Sequence, residues 1–597
     1  MSSIDIDNNK LAQILKENCA EKDEILESYA FLIRYCFSCL VDADTIDTIK
    51  ATTADLATPL KADFEKCREL LETRYKQFNA VTELQKARTR LKNQALENIT
   101  EDSEIYLMNM PTGSGKTLAG LSCALQRQKI KNKKRIIYVI PYNSIIDQTA
   151  NEFEDLFNSA AQILRHQSSF SYEDVPDLNE DYRHSFMAAC ENWDAPIIIT
   201  TAVQFFESVY SSKRGKLRKM HNMADSILVF DEAHLMPIEF LQPCLRAVAF
   251  ITKYLNSEAL FLTATMPDFE KFLPQYALKK SRITNLIPNR SDFQFFLKNT
   301  YVNLGTITNE HLIQHAQDQN SALIVVNSRS AVRLLYDLAA GKEHKYQLTT
   351  YLTAYDRNIV IGKIKADLRQ IQLDFPDGKV PPERRILVIS TSLIEAGIDL
   401  DFSAAYRELA GLDNVLQTGG RCNREGLSVN ANVYIFEREE NTKAHCPEQA
   451  VLHDMLQQYE DISDVEVIKE YYRRIYEVKK DEIVAHSLSS MCSTMDGIPF
   501  KSYCLKLINS PTESIVIPET DESRKLVEDL SKGIHIRTRA LQKYCCTVYN
   551  WELEVLLQLG VVKKLESGIC VMSPDICCNY YNRNSGVQFQ SDNDYYC

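Results

Sequence analysis

The run Pro111-Thr112-Gly113-Ser114-Gly115-Lys116-Thr117 constrains the fold more than any other part of the 597-residue chain. It lies between the apolar stretch IYLMNM and the helical stretch LAGLSCALQRQ. Glycine-rich backbone between a strand and a helix lets N–H groups close around phosphate oxygens. The helix N-terminus, a lysine and a hydroxyl then complete a cradle for a triphosphate with Mg²⁺. Met110 stands where the general P-loop pattern has its first glycine, so this is the variant PTGSGKT form. The apolar runs RIIYVIPY, PIIITT, SILVFDEA and ALFLTAT follow, separated by helical segments. Continuous apolar strands alternating with helices predict a parallel sheet covered on both faces.

A second such series begins near residue 300 with YVNLG, SALIVVN, YQLTTYLTA, RRILVIST and ANVYIF. Two successive βα series predict two α/β domains joined near residues 286–300. Residues 11–50 and 57–98 read as helical before the first series, and helices return after about 440. The last hundred residues mix short strands, such as SIVIP, with helices. The basic run KIKNKKR at 129–135 falls where a helix ends before a strand, so its lysines are expected to serve the helix dipole and solvent.

Composition narrows the class. The formal charge of −13 excludes a small basic nucleic-acid clamp, but not a locally positive channel. Hydrophobic residues at 45% and charged residues at 25% exclude wholesale disorder. No apolar run is long enough to span a bilayer, and MSSIDIDNNK has neither the basic flank nor the apolar core of a secretory signal. The 17 cysteines show no spacing that sets up a zinc site, so reduced thiols in a cytoplasmic protein are expected.

SILVFDEAH places Asp231 and Glu232 at the end of a predicted buried strand, downstream of the P-loop. Asp231 would hold Mg²⁺, usually through water, and Glu232 would orient and deprotonate the attacking water. Thr117 is the second Mg²⁺ candidate. The loop residues Thr112, Gly113, Ser114, Gly115, Lys116 and Thr117 would bind the nucleotide. Together the two motifs specify nucleotide hydrolysis.

With these motifs in place, the chain resembles the superfamily 2 helicases. Pro141-Tyr142-Asn143-Ser144 with Gln148 is similar to motif Ia, and Thr200-Thr201 with Gln204 to motif Ib. Thr263-Ala264-Thr265 resembles motif III and Asn327-Ser328-Arg329 motif IV. Ser390-Thr391 through Gly397-Ile398-Asp399 resembles motif V, and Gln417 to Arg424 motif VI. The resemblance implies two tandem RecA-like P-loop domains with parallel sheets, at 76–292 and 293–440. A helical segment plus linker would precede them at 1–75, and a linker helix and an α+β C-terminal accessory domain would follow at 441–597. It also implies that Gly397, Asp399 and Gln417 help bind ATP. Arg421 and Arg424 would stabilise charge at the γ-phosphate when the domains close. Thr201, Ser328 and Thr391 would contact nucleic-acid phosphates without reading bases.

The wording of LVFDEAHLMP, VISTSLIEAGIDLDF and QTGGRCNREG narrows the likeness to the CRISPR-associated helicase–nuclease of type I interference systems. That family implies a 3′-to-5′ motor on single-stranded DNA exposed by a surveillance complex with guide RNA. Its nuclease is an N-terminal HD domain whose metals need several histidines. All 11 histidines here lie at or after His166. Residues 31–50 resemble only the final helix of such a domain, with Asp44 at the position of its last metal-binding aspartate. A helical remnant without nuclease activity is therefore expected, with Asp44 a helix-face carboxylate, and with cutting supplied by a separate HD nuclease or the gene truncated. His453-Asp454 is read as a coincidental doublet, since one doublet cannot make a two-metal site. Two readings stand beside the CRISPR motor: a general superfamily 2 helicase on DNA or RNA, and a nucleotide-gated scaffold without catalysis.

Overall fold

The structure is a computed structural model. It describes residues 22–52, 57–78, 80–141, 143–167, 180–264, 283–296, 299–395, 398–424, 431–440, 445–485, 507, 511–532 and 538–589. The chain divides into two compact units, one of residues 1–297 and 468–508, the other of 298–467 and 509–597. The span from 441 onward, expected as a linker helix and an accessory domain, is shared between both units. No described helix is long and apolar enough to cross a membrane.

The first unit is built on a parallel sheet. Its strands are β1 (Ile105–Asn109), β2 (Arg135–Ile140), β3 (Ile163–His166), β4 (Ile197–Thr201), β5 (Ser226–Phe230), β6 (Glu258–Thr263) and β7 (Ile283–Asn285). They lie in the order β3-β4-β2-β5-β6-β1-β7, and every pairing is parallel. All residues of β2, β4, β5 and β6 are buried, as the unbroken apolar runs require. Neither β3 nor β7 is among the predicted strands. Both are edge strands of four and three residues, too short to carry a periodic signal.

The helix Lys22–Thr52 docks on this unit by its own chemistry. Phe31 packs its ring 5.4 Å from Tyr210 and 5.2 Å from Phe250. Glu27 pairs with Arg246 at 2.7 Å and Asp42 with Arg218 at 2.6 Å. Asp44, on the exposed side, pairs with Arg214 at 2.6 Å. Much later in sequence, helix Lys480–Ala485 joins the same unit and packs against the turn Ile238–Phe240 and helix Leu241–Tyr254.

The basic run at 129–135 sits at the expected helix-to-strand junction, with Asn132 in the left-handed conformation at the helix end. Two of its residues depart from the solvent role. Lys133 is buried and donates to the Asn256 carbonyl at 2.6 Å, and Arg135 is buried and donates to the Asn222 carbonyl at 2.7 Å. Both tie the lower ends of strands together rather than face water.

In the second unit, β8 (Asn299–Ile307), β9 (Ser321–Val325), β10 (Lys345–Leu348), β11 (Ile386–Ser390), β12 (Ala404–Glu408) and β13 (Ala431–Arg438) form another parallel sheet. Its order is β10-β11-β9-β12-β13-β8. Strand β12 is not in the predicted set because AAYRE ends in two charges. Those charges are buried as pairs, Arg407 with Glu395 at 2.7 Å and Glu408 with Arg438 at 2.9 Å. The two sheets establish tandem α/β domains of the expected RecA-like kind.

A four-stranded mixed sheet completes the second unit. It comprises β14 (Thr512–Val516), β15 (Cys545–Tyr549), β16 (Val562–Lys564) and β17 (Cys570–Met572), in the order β15-β14-β17-β16. A hairpin of β18 (Tyr581–Asn582) and β19 (Gly586–Val587) follows. Arg329 anchors this sheet to the α/β domain. It donates to the Thr547 carbonyl at 2.9 Å, and its guanidinium lies 4.1 Å from the Tyr549 ring and 4.7 Å from that of Tyr351. Gly586, at φ +82°, sits so close to Tyr351 that a Cβ would lie 2.4 Å from its backbone carbon, so only glycine fits there. None of the described cysteines is in a disulfide.

Candidate nucleotide site

The P-loop leaves the end of β1 and enters helix Lys116–Lys131. Gly113 and Gly115 adopt φ of +78° and +81°, a conformation that L side chains rarely take, and Gly115 caps the helix. Arg88 fixes the loop from outside by donating to the Gly113 carbonyl at 2.7 Å. Ser114 is buried and donates to the Pro111 carbonyl at 2.6 Å. Thr112 and Gly115 stay exposed.

Strand β5 lies two places from β1 in the sheet and brings Asp231 and Glu232 to the same end. The Lys116 Nζ lies 2.7 Å from Glu232 Oε1. Thr117 donates to Asp231 Oδ2 at 3.3 Å, and Tyr138 on β2 donates to the same oxygen at 3.1 Å. The other Asp231 oxygen accepts the Glu232 backbone N–H at 2.9 Å. Burial raises the Asp231 carboxyl to about 6, against the pull of Lys116. A hydroxyl and a carboxylate at one mouth are the oxygen donors Mg²⁺ prefers, so Thr117 and Asp231 fit the ion.

Glu232 itself adopts φ +47°, outside the usual range for a residue with a side chain. That turn aims its carboxylate back at Lys116. Two strands are then joined behind it, because His234 Nδ1 lies 2.8 Å from the Thr263 hydroxyl at the end of β6. The site therefore couples the β5 turn to the TAT segment, of which Thr265 lies outside the described residues.

In the second unit, Arg421 and Arg424 follow helix Leu412–Gly419, which carries Gln417 half-buried on its surface. Arg421 Nη2 donates to the Glu395 carbonyl at 2.8 Å. Arg424 pairs with Asp399, and its backbone N–H donates to Asp401 at 2.7 Å. Beneath them Glu395 accepts from Arg407, from Asn414 at 2.7 Å and from Thr418 at 3.2 Å. Gly397 lies outside the described residues.

The nucleic-acid candidates occupy defined positions. Thr201 is buried and caps helix Ala202–Val209, accepting from the Gln204 N–H at 3.0 Å. Ser328 caps helix Arg329–Leu338 at 3.1 Å to Ala331, half-buried. Thr391, also half-buried, donates its N–H to the Leu348 carbonyl at 3.2 Å. Asn143 and Ser144 start helix Asn143–Phe157. Tyr142 lies outside the described residues.

Residues 89–272 match the model of DEAD/DEAH box helicases. Residues 318–427 match that of the C-terminal region of the CRISPR-associated nuclease/helicase Cas3. Curated relatives of the chain include Cas3 helicases. A Cas3 nuclease/helicase of Haloferax volcanii is 25% identical over 56% of this chain and 47% of its own length. A Cas3 helicase of Thermoproteus tenax is 24% identical over 58% of each chain. The chain thus spans about half the length of these Cas3 relatives. The crystal structure of T. fusca Cas3 with ADP aligns at a TM-score of 0.61 and 14% identity, covering 86% of this chain and 69% of that one. A CRISPR RNA-guided surveillance complex captured before nicking contains a chain that aligns at 0.55, with 14% identity, over 84% of this chain and 68% of its own. These likenesses establish a Cas3-like fold.

Sequence reading finds the P-loop and the Asp231-Glu232 pair because their spacing is local. It misses Arg88, Tyr138 and Glu395, which act on the site from other elements. Tyr138 is legible only as one more apolar residue in a buried strand, and Arg88 as one more charge on a helix.

Proposed function

We propose that this chain is an ATP-dependent motor on single-stranded DNA in a type I CRISPR defence system. The observation that carries the reading is the Lys116–Glu232 pair held against Thr117 and Asp231 at one end of the first sheet. Before nucleotide binds, Lys116 and Glu232 neutralise one another. A γ-phosphate would draw the Lys116 ammonium to itself and leave the Glu232 carboxylate free to accept a proton from water. Mg²⁺ bound by Thr117 and Asp231 would neutralise phosphate charge as hydrolysis proceeds.

Arg421 and Arg424 are assigned to transition-state charge, with Gly397, Asp399 and Gln417 supporting the nucleotide. Arg424 would exchange its pairing with Asp399 for phosphate, as Lys116 would exchange Glu232. Thr201, Ser328 and Thr391 are assigned to the DNA backbone, and movement is taken to run 3′ to 5′. The surveillance complex with its guide RNA would open the duplex and present the strand in the cytoplasm. Cutting is assigned to an HD nuclease acting with this motor, in keeping with the nuclease/helicase names of the Cas3 relatives.

The test is ATP turnover by the purified protein, with single-stranded DNA, with RNA and with neither, beside Lys116→Ala. DNA-stimulated turnover that vanishes in the variant is expected. Equal stimulation by RNA would favour a general helicase, and nucleotide binding without turnover would favour a scaffold.

A further inference from the structure

Strand β13 ends at Arg438, and its penultimate residue Glu437 faces two histidines contributed by the chain that follows. His445 precedes helix Pro447–Leu456, and His453 lies within it. His445 Nε2 is 2.8 Å from one Glu437 oxygen, and His453 Nδ1 is 2.9 Å from the other. All three candidate donor atoms lie within 4.8 Å of one another. The side chains are 27–41% exposed, so an ion could reach them and keep water in its remaining positions. His453 does not use its neighbour Asp454 for this, so the His-Asp doublet in the sequence is incidental to the cluster.

We propose that Glu437, His445 and His453 form a single-ion site for a borderline divalent metal of the Zn²⁺, Co²⁺ or Ni²⁺ class. Two imidazoles and one carboxylate select these ions over Mg²⁺ or Ca²⁺, which take oxygen donors. Donors around tetrahedral zinc sit about 2.0–2.2 Å from the ion. The observed spacings need only a small rotation of the imidazoles to reach that arrangement.

The remote nitrogen of His453, Nε2, lies 3.2 Å from the Gln457 amide nitrogen. With metal on Nδ1, a flip of that amide would turn its oxygen to accept from Nε2–H, which would orient the ring as outer partners of metal-bound histidines do. The ion would tie the end of β13 to the helix that leaves the second sheet, fixing the path of the chain there. With ligands on the strand end and on the following helix, the ion would hold these two elements together. This inference is independent of the motor reading.

The probe is Co²⁺ added to the full chain without nucleotide, followed by visible absorption and by titration calorimetry against Zn²⁺. One equivalent is expected with the weak bands of nitrogen and oxygen ligands and no thiolate charge-transfer band. His445→Ala and, separately, Glu437→Gln should weaken binding by at least about tenfold while leaving the far-ultraviolet dichroism intact. Binding unchanged in both variants, a cobalt spectrum dominated by thiolate charge transfer, or no binding by the wild-type chain would each overturn the proposal.

Discussion

At the scale of single residues, the site holds its reactive groups in pairs. Glu232 is turned by a strained backbone onto Lys116, and Asp231 is held by Thr117, Tyr138 and a backbone N–H. Glu232→Gln keeps the shape of the side chain but removes its capacity to take a proton. ATP affinity should persist while turnover falls about 10²–10⁴-fold, measured by nucleotide titration beside steady-state hydrolysis. Parallel loss of affinity would move Glu232 from water activation to nucleotide binding. The P-loop and the Asp231-Glu232 pair are legible in sequence because each motif spans a few consecutive residues. The lysine–glutamate contact is not, because 115 residues of intervening chain must fold before the two meet.

At the scale of elements, charged residues that look like surface in the sequence prove to be struts between strands and helices. Arg127, on the helix after the P-loop, grips Glu258 on β6 through two bonds of 2.7 and 2.6 Å, and both residues are buried. Glu258→Ala would take from the buried Arg127 guanidinium its buried carboxylate partner, leaving the Ile99 and Glu101 carbonyls and the exposed Asp102, and should cost about 3 kcal/mol, read from urea unfolding of the full chain. Helix Lys22–Thr52 is tied down similarly. His221 takes Ser38 at 3.1 Å on one nitrogen and Asp42 at 3.3 Å on the other. Burial lowers the His221 basicity below its ordinary 6.5, with Arg135 acting in the same direction and Asp42 and Asp194 opposing. The unfolded chain then binds the proton more readily than the folded one. The contribution is therefore whole above pH 6.5 and is lost as pH falls below it. Thermal melts should show that loss in the wild type and a flatter profile in His221→Gln; equal profiles would count against this linkage. Strands were readable from sequence where they are apolar throughout, as in β2, β4 and β5. Strand β12 was not, because Arg407 and Glu408 mask a buried strand until their partners Glu395 and Arg438 are placed beside them.

At the scale of the whole molecule, the proposed reaction needs groups from both α/β domains. The first unit carries the P-loop and the carboxylate proposed to activate water, and the second carries Arg421 and Arg424. Arg424→Ala should leave ATP binding close to wild type but lower DNA-stimulated turnover by about 10³-fold or more. An unchanged rate would remove this arginine from the chemistry and leave its pairing with Asp399 as its whole role. Motif VI is recognisable from its glycines and arginines, but the sequence gives no sign that Glu395, within the motif V segment, supports it from beneath through Asn414 and Thr418.

The chain passes between the two units three times, after residues 297, 467 and 508. A ribosome therefore finishes the second α/β sheet before it releases the last helices of the first unit. At synthesis rates of about 5–20 residues per second, the first unit waits roughly 10–40 s for them. During that interval the turn Ile238–Phe240 and the helix behind it stand without the cover that Lys480–Ala485 later provides. The nascent chain thus has an order of assembly written into its connectivity, with the P-loop made early and its unit closed late.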